Sequence, residues 1–147
     1  MRTEYTAVRS ETAEGVLREL GRYAVEREYA SEGYVEAVLD READFPTGLA
    51  VPTSDVDVAI PHAEPDHVDE NAVVLGLPDD AIRFRHMDDP EDTVDANVVM
   101  LLLAEDSEGY TEFLSNLANL FSDPSFAEAV HEDQPDRLLD LIENECL

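Results

Sequence analysis

The stretch "ANVVMLLLAE" at residues 96–105 is continuously apolar over most of its length. A run of this kind, with no polar alternation, predicts a strand that is buried on both faces of a sheet. Three shorter runs rich in β-branched residues come before it and also predict strands, at residues 56–60, 71–77 and 81–84. The polar residues 85–95, which separate the last two predicted strands, are expected to form a loop.

Helical patterns flank this group of strands on both sides. Residues 12–28 repeat apolar side chains at helical spacing, and a second helix is predicted to begin near Ser31, with that serine as its N-cap. Three further helices are predicted after the strands, at residues 109–123, 124–133 and 135–145. The order of two helices, a group of strands and three helices predicts one α/β domain in which a small sheet is covered by helices.

The length and composition suit a single globular domain. A chain of 147 residues can form one full core, and a hydrophobic fraction of 44% is too high for a disordered acidic chain. No apolar run reaches the roughly 18 residues needed to span a membrane, and the polar N-terminus is unlike a signal peptide. The single cysteine, Cys146, excludes an internal disulfide and a cysteine-based zinc site. We therefore expect a cytoplasmic protein.

The balance of charge is strongly acidic. There are 36 acidic and 9 basic residues, for a formal net charge of -27, and all the basic residues are arginines. One interpretation is adaptation to a salt-rich cytoplasm, as in a halophile, because a Debye length of about 3 Å in molar salt screens the self-repulsion. The other is an acidic surface that mimics nucleic acid or binds a cationic partner. The acids are spread along the whole chain, which favours the first interpretation. With no basic patch, we expect no binding to nucleic acid.

A second apolar run ends abruptly in "VAIPHAEPDH" at residues 58–67, where a proline is followed by His62. Four interpretations of this histidine are open: a solvated loop residue, a buried structural residue, a metal ligand or a nucleophile. A metal site would use Glu64 and His67, but their spacing is not the helical His-Glu-x-x-His pattern, and Pro65 disfavours a helix. The nucleophile interpretation depends on position, since the end of a buried strand would hold a neutral imidazole rigidly.

Two upstream elements bear on this choice. Arg41 lies at the predicted end of the second helix, and Thr47 and Gly48 form a tight polar turn before the first predicted strand. Arginine is the side chain best suited to bidentate binding of a phosphate group, and a threonine hydroxyl adds a neutral donor. Taken alone, Arg41 is better explained by a surface salt bridge. It becomes a candidate site residue only together with His62.

The combination of "RE" at residues 41–42, "PTG" at 46–48 and "AIPH" at 59–62 resembles the enzyme IIA domain of the sugar phosphotransferase system (PTS). The subfamily is the fructose–mannitol–nitrogen-regulatory type. The resemblance runs from about residue 8 to residue 143, and in the segment 45–68 it is closest to the galactitol branch. It implies the fold of that family, a single domain with a small mixed sheet covered by helices.

The resemblance also implies a function, that of a phosphotransferase, for a single domain over residues 1–147. In the family, the histidine of this element takes a phosphoryl group from the phosphocarrier HPr. It then passes the group to a cysteine of the sugar-specific IIB component, and the membrane component IIC is involved only indirectly. Carried over, His62 is the phosphorylated residue, Arg41 neutralises phosphoryl oxygens and Thr47 contributes a hydroxyl hydrogen bond. No metal or cofactor is implied, because an arginine supplies the charge.

Two other functions stay open. The first is a regulatory IIA paralogue with the same fold, which would bind a target protein in a phosphorylation-dependent way. The second is an unrelated small enzyme or a metal-binding protein that uses His62 and His67.

One position departs from the pattern of many family members. They carry a second histidine near the start of the helix predicted at residues 109–123, and the nearest residue here is Tyr110. A phenol can hydrogen-bond a phosphoryl group or His62, but it is not a base near neutral pH. The alternative is an ordinary half-buried aromatic residue. The galactitol-like branch also tends to lack this histidine, so the departure agrees with that branch.

The remaining candidates carry weaker expectations. The other histidines are expected to be solvated: His67, His86 and His131. An apolar docking face is expected beside the site, and three residues are candidates that are equally explained as core: Leu49, Val51 and Met87.

Overall fold

The computed structural model of the protein describes residues 1–51, 55–105 and 109–147. Within these ranges the seven strands are β1 (Arg2–Thr6), β2 (Gly48–Leu49), β3 (Val58–Ala59), β4 (Ala72–Gly76), β5 (Ile82–Arg85), β6 (Thr93–Ala96) and β7 (Val98–Leu103). The five α-helices are α1 (Ala13–Glu26), α2 (Tyr34–Asp44), α3 (Tyr110–Phe121), α4 (Pro124–His131) and α5 (Pro135–Cys146). A 3₁₀ turn covers Pro65–His67. None of the helices in the described ranges is long and apolar enough to cross a membrane.

Five of the strands form one mixed sheet in the order β1-β4-β7-β3-β2. The pairs β1–β4 and β3–β7 are parallel, whereas β4–β7 and β2–β3 are antiparallel. The remaining strands, β5 and β6, form a separate antiparallel hairpin. The expected small mixed sheet covered by helices is therefore confirmed.

Strand β7 lies in the middle of the sheet and is covered on both faces. Its residues Val98, Met100 and Leu102 pack in the cluster that contains the apolar side chains of α3, α4 and α5. The alternate residues of β7, which are Val99, Leu101 and Leu103, pack with the apolar side chains of α1 and α2. All six are buried, which explains why the sequence of this strand shows no polar alternation.

The five predicted helices are all present, but one predicted cap is wrong. Helix α2 begins at Tyr34, and its N-cap is Gly33 in the left-handed region at φ 98°, with no side-chain cap. Ser31 instead ties the chain to the 3₁₀ turn, because its backbone N–H donates to the carbonyl of His67 at 2.9 Å. A serine-cap pattern does not reveal such a distant backbone partner.

Three strands were not predicted. β1 is a polar edge strand, and its sequence carries little apolar signal because only one edge pairs with the sheet. β2 has only two residues. β6 lies inside the segment expected to be a loop; its buried residue Val94 pairs with Phe84 of β5. The apolar run at 96–105 is accordingly divided, with Ala96 in the hairpin and β7 starting at Val98.

The hairpin approaches the sheet closely at Gly48. The N–H of Met87 donates to the carbonyl of Gly48 at 2.8 Å. A Cβ atom added to Gly48 would lie 2.6 Å from the carbonyl oxygen of Arg85, which is a backbone atom and cannot rotate away. Glycine is therefore required at this position by the distance between two backbone segments.

The corner between α2 and β2 contains a half-buried carboxylate, that of Glu42. Glu42 accepts hydrogen bonds from the backbone N–H of Thr47 at 2.7 Å and from its hydroxyl. Burial raises the pKa of Glu42 to about 7, against the opposing effect of the two bonds from Thr47 and of the nearby Arg85. This contact joins the end of the helix that carries Arg41 to the strand that precedes the site.

We expect Gly48→Ala to destabilise the fold by about 1–3 kcal/mol, because the new methyl group would force apart the hairpin and the sheet. Denaturant unfolding in concentrated salt would measure the change. The neighbouring exposed residue provides a control, since Ala50→Ser adds a polar atom where there is room. Equal stability of the two variants would contradict the close approach at Gly48.

The raised pKa of Glu42 predicts a pH dependence of stability. Between its ordinary value of 4.5 and about 7, the folded protein retains a proton that the unfolded chain has released. The contribution of Glu42 to the free energy of unfolding is therefore fully present below pH 4.5. That free energy falls by on the order of 3 kcal/mol as the pH rises to 7. We expect Glu42→Gln to flatten the curve of unfolding free energy against pH in this window. The control Glu26→Gln, at an exposed position, should leave the slope unchanged, and parallel curves for Glu42→Gln and the parent would refute the assignment.

Candidate functional site

His62 lies where the chain after β3 runs alongside the end of β7. The backbone of His62 forms a parallel bridge with Leu102, and the N–H of Leu102 donates to the carbonyl of Pro61 at 2.9 Å. β3 and β7 are themselves parallel, so His62 stands at the carboxyl end of a buried strand pair. This end of a parallel pair is where ligand sites commonly form in α/β proteins.

The imidazole of His62 is held in one tautomer. Its Nδ1 lies 2.9 Å from the carbonyl oxygen of Ile60. A carbonyl oxygen only accepts hydrogen bonds, so Nδ1 is the protonated nitrogen and Nε2 keeps its lone pair. Burial lowers the pKa of His62, as does Arg41, and these effects outweigh the bond to Ile60 and the charge of Glu64, which raise it. The ring is therefore a neutral nucleophile near neutral pH.

A cavity of about 220 Å³ surrounds the ring of His62. It is formed by elements from both helical layers. The lining residues are Arg41 of α2, Leu102 of β7, Tyr110 of α3, Pro65 of the 3₁₀ turn, and Ala63, Glu64 and Ala104 from loops. Its volume is below the roughly 300–1,000 Å³ of pockets that take drug-sized molecules. The cavity is suited to a small group attached to or approaching the imidazole.

Among the residues that the structure describes, two side chains that line this cavity each carry a buried polar atom without a hydrogen-bond partner. These atoms are Nε of Arg41 and the hydroxyl oxygen of Tyr110. Buried polar atoms are nearly always hydrogen-bonded, so two unpartnered donors in one small cavity indicate a site for an acceptor. Burial raises the pKa of Tyr110 to about 12, against the opposing charge of Arg41, so the phenol keeps its proton. Its ring meets that of His62 edge-on, with 6.2 Å between centroids.

The guanidinium of Arg41 is oriented by two further contacts. Its Nη1 forms an ion pair with the carboxylate of Glu64, and its Cζ lies 4.6 Å from the ring centroid of Phe45. The ion pair uses one terminal nitrogen of the guanidinium, whereas the buried Nε has no hydrogen-bond partner among the described residues. Arg41 is therefore held beside the imidazole with a free donor.

Thr47 lies behind the cavity and is not one of its lining residues. It is 2% exposed, and its hydroxyl donates to Glu42. Its carbonyl accepts the N–H of Ile60 at 3.2 Å, and Ile60 is the residue whose own carbonyl holds the imidazole. The structure thus brings His62 and Arg41 together and places Thr47 one step further away.

The other histidines are tied to local contacts. His67 is half-buried, and its ring packs against Gly33. A Cβ atom added to Gly33 would lie 3.2 Å from Cε1 of His67. His86 accepts the N–H of Asp88 through Nδ1 at 3.0 Å. His131 contacts Asp55 at 2.8 Å. Across residues 1–51, 55–105 and 109–147, no group of three His, Cys, Asp or Glu side chains is arranged to hold a metal ion.

The residues suggested for a docking face differ in exposure. Val51 is 6% exposed and belongs to the core, and Leu49 packs partly against it. Met87 is 38% exposed and Phe45 is 60% exposed. Sequence reasoning missed Phe45, although a large aromatic residue placed directly after the last turn of a helix, four residues from Arg41, was an available signal.

Comparison with known proteins shows the family of the chain. The family model described as "Phosphoenolpyruvate-dependent sugar phosphotransferase system, EIIA 2" matches residues 3–145. The galactitol-specific EIIA component of Escherichia coli strain K12 is 28% identical over 115 residues, which are 78% of this chain and 75% of that protein.

Two solved structures from Escherichia coli share the fold over nearly their whole length. Crystalline mannitol IIA is 27% identical with a TM-score of 0.72, covering 95% of this chain and 94% of that one. Mannitol IIA in complex with phosphorylated mannitol IIB is 26% identical with a TM-score of 0.74, covering 96% and 94%. Since the family model extends over almost all of the sequence, the chain belongs to the EIIA 2 family of the phosphoenolpyruvate-dependent sugar phosphotransferase system.

Proposed function

We propose that this protein is a phosphoryl carrier that accepts a phosphoryl group from HPr on Nε2 of His62 and passes it to a cysteine of a IIB component. The pathway it serves is the uptake of a fructose- or galactitol-type sugar. One observation carries the proposal. The unprotonated nitrogen of a half-buried imidazole with a fixed tautomer stands in a small cavity lined by Arg41 and Tyr110, whose Nε and hydroxyl have no hydrogen-bond partner among the described residues.

Each transfer is an exchange of one bond to phosphorus for another. In the first, the lone pair of Nε2 forms a bond to phosphorus while the phosphorus–nitrogen bond of the donor breaks, and that electron pair returns to the donor's imidazole. The proton on Nδ1 stays hydrogen-bonded to Ile60 throughout. In the second, a cysteine thiolate of the acceptor attacks phosphorus and the electron pair returns to Nε2. Catalysis then consists of positioning and of stabilising charge on the phosphoryl oxygens.

The two unpartnered donors are placed to stabilise negative charge on the phosphoryl oxygens. A phosphoryl group on Nε2 would bring negative oxygens into the cavity, where Nε of Arg41 and the hydroxyl of Tyr110 have no competing acceptor. Hydrogen bonds to charged groups contribute about 1.5–3 kcal/mol, more than those between neutral groups. Thr47 acts indirectly in this scheme. Its carbonyl accepts the N–H of Ile60, and the carbonyl of Ile60 in turn holds the imidazole of His62.

The surface beside the cavity suits protein partners. Phe45 is exposed and lies next to Arg41, so an approaching partner would cover an aromatic ring adjacent to the reacting group. The structure of the mannitol relative contains IIA together with phosphorylated IIB, which supports a IIB partner for this chain. We further propose a cytoplasmic, salt-rich setting, in which the charge of -27 is screened. Contact with IIC would be indirect.

The first test is phosphorylation in molar potassium chloride with phosphoenolpyruvate, enzyme I and HPr. Intact-mass analysis should show an acid-labile gain of one phosphoryl group in the parent protein and none in His62→Gln. His67→Gln provides the matched control and should be labelled normally, because His67 lies outside the cavity. An unlabelled parent in the presence of active HPr would refute the carrier role, and labelling of His62→Gln would refute the assigned residue.

Removing only the hydroxyl of Tyr110 separates its chemical role from a packing role. We expect Tyr110→Phe to slow phosphorylation by HPr about 10- to 100-fold, the loss of one hydrogen bond to a charged group. Stability should stay the same or rise, since the hydroxyl has no partner in the free protein. The control Tyr23→Phe removes a hydroxyl that donates to Glu4, outside the cavity. A normal rapid-quench rate for Tyr110→Phe would show that the phenol plays no part.

A further inference from the structure

Glu64 has no evident role in the transfer described above. Its carboxylate lines the cavity of His62 and pairs with Nη1 of Arg41, so a negative charge already stands where phosphoryl oxygens would arrive. The side chain of Glu64 is 68% exposed, whereas that of Arg41 is 31% exposed. Arg41 is thus the more enclosed member of the pair, and the side chain of Glu64 has space to move away from it.

On the basis of the proposed function, we infer that Glu64 is a positioning residue that holds Arg41 in the unphosphorylated protein and competes with the phosphoryl group for it. The competition lowers the stability of the phosphorylated form relative to the free form. It thereby keeps the phosphoryl group on His62 easy to transfer to the next acceptor.

The charges around the imidazole require this competition. A phosphoryl group carries between one and two negative charges near neutral pH, as in phosphorylated side chains. With Glu64 in place, two anions would face one guanidinium, and like charges at short distance repel. Arg41 and Glu64 also shift the pKa of the His62 imidazole in opposite directions, so both charges act on the reacting ring.

The Arg41–Glu64 pair differs from ordinary surface pairs of the described residues. In Arg2–Glu70 and Arg18–Glu14 at least 46% of each side chain is exposed, and neither pair adjoins the cavity. Such pairs have little effect because water screens them and both partners move freely. Arg41 is instead 31% exposed, lines the cavity, stacks on Phe45, and has a buried Nε without a hydrogen-bond partner among the described residues. A change of partner at its Nη1 therefore takes place next to the reacting nitrogen.

The test compares the phosphoryl equilibrium of the parent with that of Glu64→Gln. Equimolar phospho-HPr and IIA protein are mixed in 0.5 M potassium chloride, and both phosphorylated species are quantified by intact mass. We expect Glu64→Gln to raise the equilibrium constant for phosphorylation of IIA by roughly two- to fivefold, the range of a partly exposed ion pair. In 3 M salt the difference should shrink. The control is Asp66→Asn, which removes an acid from the same loop outside the cavity and should match the parent.

A second measurement excludes a purely structural effect. Glu64 raises the pKa of His62, so an NMR titration of the unphosphorylated proteins should give a lower pKa for His62 in Glu64→Gln than in the parent or in Asp66→Asn. An equilibrium constant that is unchanged or lowered in Glu64→Gln would overturn the role of Glu64 while leaving the carrier function intact. A parent protein that takes up no phosphoryl group from active phospho-HPr would refute the carrier function itself, which keeps the two failures distinguishable.

Discussion

The pairing of the chain around His62 with strand β7 is the constraint on which the site depends. β7 is buried on both faces, so its backbone groups must be paired along both edges, by β4 on one side and by β3 on the other. Ile60 is paired on the opposite edge, where its N–H donates to the carbonyl of Thr47 in continuation of the β2–β3 register, and the carbonyl of Pro61 then accepts from Leu102 of β7. The carbonyl of Ile60 lies 2.9 Å from Nδ1 of His62. The backbone segment that flanks β7 therefore also fixes the tautomer of the His62 ring.

The free site holds unsatisfied hydrogen-bonding capacity. Nε of Arg41 and the hydroxyl of Tyr110 are removed from water without gaining a partner. Leaving a buried donor unpaired costs about 1–3 kcal/mol, and that cost is offset when an anionic acceptor arrives. Because the donors stand on α2 and α3, on opposite sides of the sheet, the packing of both helical layers determines their separation. Such a preorganised arrangement stabilises charge in the transition state without moving.

The carrier role that we propose would place an anionic group on a strongly acidic protein. Most of its arginines that form ion pairs do so on the surface, as Arg18 and Arg137 do. Arg41 differs from these surface arginines because its guanidinium stacks on Phe45 and its Nε is buried. The charge of -27 is distributed over the chain, whereas the local charge at His62 depends on one arginine and one glutamate. Net charge and site charge are thus separate quantities in this molecule.

The sequence by itself determined the fold class, the five helices, the central buried strand and the prominence of His62. These features are local: helical spacing, an unbroken apolar run, and a Pro-His pair at the end of a strand. The resemblance carried by Arg41, Thr47 and His62 then indicated the family, which the match over residues 3–145 shows. Only the tertiary structure decided the rest. β1 exists because it pairs with β4, far along the chain, and β6 exists because it pairs with β5 in a hairpin. Thr47 bonds Glu42, and Gly33 caps α2 in place of Ser31. The bond from His62 to Ile60, the unpartnered hydroxyl of Tyr110 and the pairing of Glu64 with Arg41 likewise depend on distances between side chains that only the folded chain sets. Local patterns in a sequence carry no information on such distances, because they are set by how the helical layers pack across the sheet.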